Sequence, residues 1–211
     1  HMTDIINSIS GLLWCHILVY LLIAAGLFFT IRLGFIQFVQ FPHMIKVMFQ
    51  SRQGSDGGIS SFQAFCTSLA ARVGTGNMAG VAVALYLGGA GAIFWMWLIA
   101  LIGMATSFAE STLAQAYKTK DAEGNFRGGP AYYMQTGLGK RWMGVLFSLC
   151  LILAFGLVFN AVQSNSIAAA FEVAFDIPKY IVGICLVIGS GIIIFGGLKT
   201  ISRFAEMVVP F

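Results

Sequence analysis

The residues best placed to do chemistry lie in one short stretch. Ala71 to Gly80 reads Ala-Arg-Val-Gly-Thr-Gly-Asn-Met-Ala-Gly, inside an apolar run long enough to span a bilayer. Gly74 and Gly76 flank Thr75, Asn77 follows, and Arg72 precedes. Two glycines that close cost a helix about 2 kcal/mol relative to alanine, and Asn77 adds a polar amide at membrane depth. A lipid-facing segment cannot leave backbone groups unpaired, so a broken helix is tolerated only against protein or a water-filled cavity. At such a break the N–H groups of one half-helix suit an anion, and the freed carbonyls of the other suit a cation. The chemistry expected is binding of both charges side by side, with no covalent step. The competing reading of the glycines is helix packing. Gly76, Gly80, Ala84 and Gly88 recur at four-residue spacing, and for Gly80 and Gly88 packing is preferred.

The elements that must hold this stretch follow from composition. The chain is 58% hydrophobic and 9% charged, with a mean hydropathy of +0.86. A soluble domain carries about 25% charged residues, so the class expected is an all-α polytopic membrane protein. Net charge +4 and a pI near 9.0 do not indicate nucleic acid, because the basic residues sit between apolar spans, where orientation in the membrane explains them. The spans hold no HExxH, GxSxG or spaced acid pair, so no enzyme, catalytic residue or organic cofactor is expected. Cys15, Cys66, Cys150 and Cys185 each lie in an apolar run without framework spacing and read as small buried hydrophobes. No cleavable signal is expected, since the first apolar run is too long and lacks a basic flank ahead of it.

Five spans are predicted. The first runs from about Leu12 to Leu33, interrupted only by Cys15, His16 and Thr30; His16 reads as a packed or interfacial residue rather than a proton relay. Phe35 to Gln50, broken by Pro42, suits an amphipathic helix along the interface, and Ser51 to Gly58 a solvated loop. Ser60 is the expected N-cap of span two, about Ile59 to Leu87, which carries the break. Span three covers about Ala92 to Tyr117, with Trp95 and Trp97 as an aromatic belt; Glu110 within it is either a functional carboxylate or a structural partner for a nearby base. The polar segment Lys118 to Arg141 should contain a short helix from Pro130 to Gly137 or Gly139. Span four is about Trp142 to Phe171, where Asn160, Gln163 and Ser164 share one face and serve either interhelical bonding or a bound substrate. Asp176-Ile-Pro178 ends that region, and span five is about Tyr180 to Leu198, closed by Lys199 and Arg203.

The bases cluster after spans one, three and five, while the intervening connections hold only Lys179, so the N-terminus is expected outside and span two enters from the cytoplasm. The expected division is residues 1–58, a first transmembrane helix with its interfacial segment, and residues 59–211, the transmembrane core. Another apolar run begins near Glu206 to Phe211, so the chain is expected to be an incomplete fragment of something longer.

Several stretches together resemble one family, the alanine/glycine:cation symporters. They are Val73-Gly-Thr-Gly-Asn-Met-Ala-Gly-Val-Ala82, Phe94-Trp-Met-Trp97, Gly103-Met-Ala-Thr106, Phe108-Ala-Glu-Ser-Thr-Leu-Ala114, Gly128-Gly-Pro-Ala-Tyr-Tyr-Met134 with Gly137-Leu-Gly139, and Gln163-Ser-Asn-Ser-Ile167. The resemblance implies a leucine-transporter-type core of two inverted repeats. This chain would supply a peripheral first helix and most of the first repeat. It implies symport of alanine or glycine with sodium, or less often protons, across a bacterial or archaeal plasma membrane by alternating access. Gly74, Thr75, Gly76, Asn77 and Gln163 would then contact substrate, with N–H groups of Thr75 and Gly76 on its carboxylate. Carbonyls of Ala70 and Val73, with Asn77, would hold sodium, a hard cation that prefers oxygen. A channel and an inactive fragment are the remaining alternatives.

Overall fold

The computed structural model describes residues 2–50, 58–122 and 124–210. Helix α1 is continuous over Met2–Arg32, with a π-helical stretch at Leu12–Leu18. It starts well before Leu12 because Met2 to Ser10 holds no proline and spaces Ile5 and Ile9 one turn apart. Gly34 and Phe35 then take left-handed conformations (φ 62° and 56°), and the Phe35 N–H bonds back to the Thr30 carbonyl at 2.9 Å. This reversal ends α1 and launches two short helices, α2 (Ile36–Val39) and α3 (Phe41–Gln50). Pro42 lies in the first turn of α3, where a missing N–H costs nothing. The predicted Ser51–Gly58 loop lies outside the described residues except for Gly58.

The region expected to be span two is two half-helices, α4 (Ser61–Arg72) and α5 (Thr75–Gly88). Helix α6 covers Gly91–Ala116, α7 Pro130–Gly137, α8 Arg141–Phe175, α9 Lys179–Phe195 and α10 Gly197–Val208. Three of these helices, α1, α6 and α8, are long and apolar enough to cross a membrane among the described residues. The pair α9–α10 makes a fourth if its 119° bend lies within one span. The expected fifth span thus stops at Phe195. Gly197, at φ 75°, turns the chain, and Lys199 and Arg203 ride on a separate helix.

Packing of α1 on α6 rests on small residues and one buried amide. Gly26 and Ala105 are buried, and a Cβ added at Gly26 would overlap the Ile102 side chain and stand 3.3 Å from its carbonyl oxygen. Gln37 on α2, only 4% exposed, donates through Nε2 to Thr30 Oγ1 at 3.1 Å and to the Leu101 carbonyl at 3.4 Å. One side chain therefore joins α1, α2 and α6 through its Nε2, while its Oε1 is buried with no hydrogen-bond partner among the described residues. The Gly76/Gly80 stripe behaves otherwise: a Cβ at Gly76, Gly80 or Gly103 meets nothing within 4 Å, and at Gly88 only the Ala92 Cβ, at 3.4 Å. The packing reading of Gly80 thus finds no neighbour from another element among the described residues. Of the cysteines only Cys66 is buried; Cys15, Cys150 and Cys185 are exposed, because each lies on the outward face of a helix.

The polar segment is built as a cap. An antiparallel pair, β1 (Thr119–Lys120) and β2 (Phe126–Arg127), closes across Asp121 to Gly124, and the Asp121 carboxylate accepts from the Arg127 Nε at 3.0 Å. The sequence reading contained no such hairpin, since strands of two residues leave no periodicity to detect. Helix α7 falls where Pro130 and Gly137 placed it. Its start is tightly fitted on two sides: a Cβ at Gly128 would lie 2.8 Å from the Ala114 carbonyl, and at Gly144 2.7 Å from the Ala131 carbonyl. Glu110 is exposed; burial first, and the Glu110 charge second, push the Tyr133 phenol of α7 up.

Gly26→Leu should therefore lower the thermal stability of a full-length chain in detergent by about 1–3 kcal/mol, the usual range for overpacking. Gly103→Ala, with open space at its Cβ, should not destabilise. Equal midpoints for the two variants would refute the α1–α6 contact.

Candidate functional site

Helix α4 begins at a capping box. Ser60 Oγ accepts the Gln63 N–H at 3.1 Å, and Gln63 Oε1 accepts the Ser60 N–H at 3.2 Å. The Ser60 cap expected from sequence is present. The helix runs to Arg72, and the Val73 N–H makes a last bond to the Leu69 carbonyl at 2.9 Å. Val73 (φ −90°, ψ 117°) and Gly74 (φ −156°, ψ −178°) are extended, and α5 starts at Thr75. Glycine, threonine and asparagine within four residues favour this break, because none supports a helix interior as alanine does.

Two sets of backbone groups result. A helix leaves its last carbonyls and first N–H groups without intrahelical partners. Ala70 and Val73 lie on the carbonyl side of the break, and Thr75 and Gly76 on the N–H side. No side chain caps α5, so its positive dipole end is not screened by a capping oxygen. The Asn77 N–H bonds to the Gly74 carbonyl at 3.0 Å. Across the break, Asn77 Nδ2 donates to the Arg72 carbonyl at 2.6 Å. The donor half of the Asn77 amide therefore ties the half-helices together, and its oxygen remains an acceptor. The Arg72 guanidinium turns away along α4, bonding Ser68 through its carbonyl at 3.4 Å and also through its hydroxyl.

Gln163 reaches this break from α8. A Cβ built on Gly74 would stand 3.1 Å from Gln163 Nε2 and 3.5 Å from its Cδ. Because Gly74 has an extended φ that any residue can adopt, its lack of a side chain matters for contact and not for conformation. Gly74 and Thr75 are half-buried, whereas Gly76, Asn77, Gln163, Ala70 and Val73 are exposed. Of the other polar residues predicted on the Gln163 face, Asn160 folds back onto the Gly156 carbonyl at 3.2 Å and Ser164 is exposed. Among the described residues no cluster of three His, Cys, Asp or Glu could hold a metal ion, so a cation here would depend on neutral oxygens.

One contact at the far end of α4 was missed in the sequence. Gln63 Nε2 donates to Glu206 Oε2 at 2.8 Å, joining the start of α4 to α10. Only an apolar run was visible around Glu206, and a pairing over so long a separation leaves no local signal.

A discontinuous helix, with N–H groups at one end of the break and carbonyls at the other, among apolar helices of bilayer length fits a multi-pass membrane protein. The comparison with known proteins carries this further. The model of the sodium:alanine symporter family matches residues 1–211, and the chain belongs to that family. It is 53% identical over 209 residues to a probable sodium/glutamine symporter of Bacillus subtilis, covering 99% of this chain and 44% of the relative. A putative sodium/proton-dependent alanine carrier protein of the same organism is 48% identical, over 100% of this chain and 43% of the relative. A sodium/alanine symporter of Methanococcus maripaludis is 42% identical, over 99% and 47%. The chain thus spans less than half the length of the curated relatives it matches.

The contact at Gly74 can be measured by a double-mutant cycle on thermal stability. Gly74→Ala should be destabilising beside Gln163 and harmless beside Gln163→Ala, with a coupling of about 0.5–3 kcal/mol. Additive effects would show that the two residues do not touch.

Proposed function

We propose that this sequence forms one wall of the binding site of a secondary active transporter that carries a small neutral amino acid, alanine or glycine, together with sodium. The observation that supports it most directly is Gln163 lying against Gly74, at a helix break with N–H donors on one side and carbonyls on the other. Gly74, Thr75, Gly76, Asn77 and Gln163 are the substrate contacts, with the Thr75 and Gly76 N–H groups on the carboxylate at the positive end of α5. Sodium takes the carbonyls of Ala70 and Val73 and the Asn77 amide oxygen, the one polar atom of that side chain not engaged with Arg72. Carboxylate and cation lie close enough to neutralise each other, so each lowers the cost of holding the other in a poorly solvating site.

On this reading residues 59–211 are the first repeat of a leucine-transporter-type core, and residues 1–58 a peripheral helix with its interfacial segment. The N-terminus faces outside, and the base-rich cap between α6 and α8 faces the cytoplasm. Transport proceeds by alternating access in the plasma membrane, with the full activity belonging to a chain of the relatives' length. No organic cofactor takes part.

In proteoliposomes a full-length transporter carrying this sequence should take up labelled alanine under an inward sodium gradient, and should stop when potassium replaces sodium. Asn77→Ala should abolish coupled uptake without preventing insertion. Uptake that follows a proton gradient alone would replace sodium as the coupling ion, and glutamine outcompeting alanine and glycine would replace the cargo. Wild-type uptake by the Asn77 variant would overturn the site.

A further inference from the structure

The half-helix that brings the carbonyls to the break is held at its far end by a side chain outside the proposed substrate contacts. Gln63 is the N3 residue of α4, and both halves of its amide are used: the oxygen accepts from the Ser60 N–H, and the nitrogen donates to Glu206 on α10 at 2.8 Å. The two helices are closely packed around this bond. Cys66, the next residue of α4 one turn on, is 1% exposed; on α10 Ser202 is 1% and Ala205 6% exposed. Helix α10 is itself set by the turn at Gly197, which bends it 119° from α9.

We propose that Glu206 is a positioning residue for transport, fixing α4 through Gln63 and thereby fixing the carbonyl side of the break. The inference rests on the functional reading above. Ser61–Arg72 is an unbroken helix, so a tilt at Gln63 displaces its other end, where Ala70 and Val73 lie. Among the described residues, the side-chain hydrogen bond across the break is that of Asn77 to Arg72, and Gln163 meets the break at Gly74 from α8. A partly buried carboxylate accepting from an amide is a charge-assisted bond, stronger than a neutral one. Releasing it lets α4 populate positions in which the carbonyls no longer converge, and the apparent cation affinity falls with the fraction that remains competent.

The test exchanges the two groups in a full-length transporter carrying this sequence, in which cysteines other than Cys66 are replaced. Gln63→Glu keeps an acceptor for the Ser60 N–H but opposes Glu206 with a second carboxylate. The double variant Gln63→Glu/Glu206→Gln restores an amide–carboxylate pair with the roles reversed. The single variant should raise the sodium concentration for half-maximal alanine uptake about tenfold, with a smaller change in maximal rate, and should speed maleimide labelling of Cys66. The double variant should bring both readouts back to near wild type. If an inserted single variant shows unchanged sodium dependence and unchanged labelling, or if the double variant is no better than the single, the positioning role is overturned. Labelling is read without transport: absent sodium-dependent uptake in the wild type would refute the functional reading, while the Cys66 rates still decide whether the Gln63–Glu206 bond holds α4 in place.

Discussion

Backbone groups that leave a helix inside an apolar bundle need partners, and this constraint governs the arrangement around Gly74. Between α4 and α5 the chain gives up the bonds that a continuous helix would make. In their place Asn77 reaches back to the Arg72 carbonyl, the Asn77 N–H closes a short turn on Gly74, and Val73 keeps its bond to Leu69. The remaining groups, N–H on one side and carbonyl on the other, leave the break polarised, and on the proposed function an anion and a cation supply their partners. The residues that break the helix are also those that partly repair it.

The other elements serve to hold this gap. Helix α8 brings Gln163 against Gly74, where an added Cβ would stand 3.1 Å from its Nε2. The cap of β1, β2 and α7 is pressed between α6 and α8 by backbone contacts that Gly128 and Gly144 permit, which fixes where α8 starts. Gln37 does the same for α1 against α6. Helix α10 closes the set by gripping the start of α4 through Glu206. Each join uses either a glycine at a backbone contact or a single amide, because in apolar surroundings close approach and satisfied polar groups stabilise helix association more than hydrophobicity does.

The relatives sharpen the proposed chemistry. Proteins named for glutamine and for alanine match this chain at 53% and 42% identity over nearly its whole length. On the proposed function, what this half supplies is what such cargoes share: a carboxylate for the N–H end of α5 and a cation for the carbonyl end of α4.

Composition and local chemistry alone determined the class, most of the helix boundaries and the location of the break. Apolar runs of bilayer length, Ser60 before α4, Pro130 and Gly137 around α7, and Asp176 after α8 all act within a few residues, so each is readable in the sequence. The family resemblance placed Gln163 in the site, but residue spacing by itself left it undecided between packing and binding. Only the tertiary structure decided that Gly74 accommodates Gln163, that a Cβ at Gly80 meets no other element among the described residues, that the Asn77 amide nitrogen is spent on Arg72, and that Lys199 and Arg203 lie on a helix turned away from α9. It also revealed the Gln63–Glu206 bond. These are contacts between residues far apart in the chain or across a turn. They are set by which helix surfaces meet, and periodicity in a single segment carries no record of that.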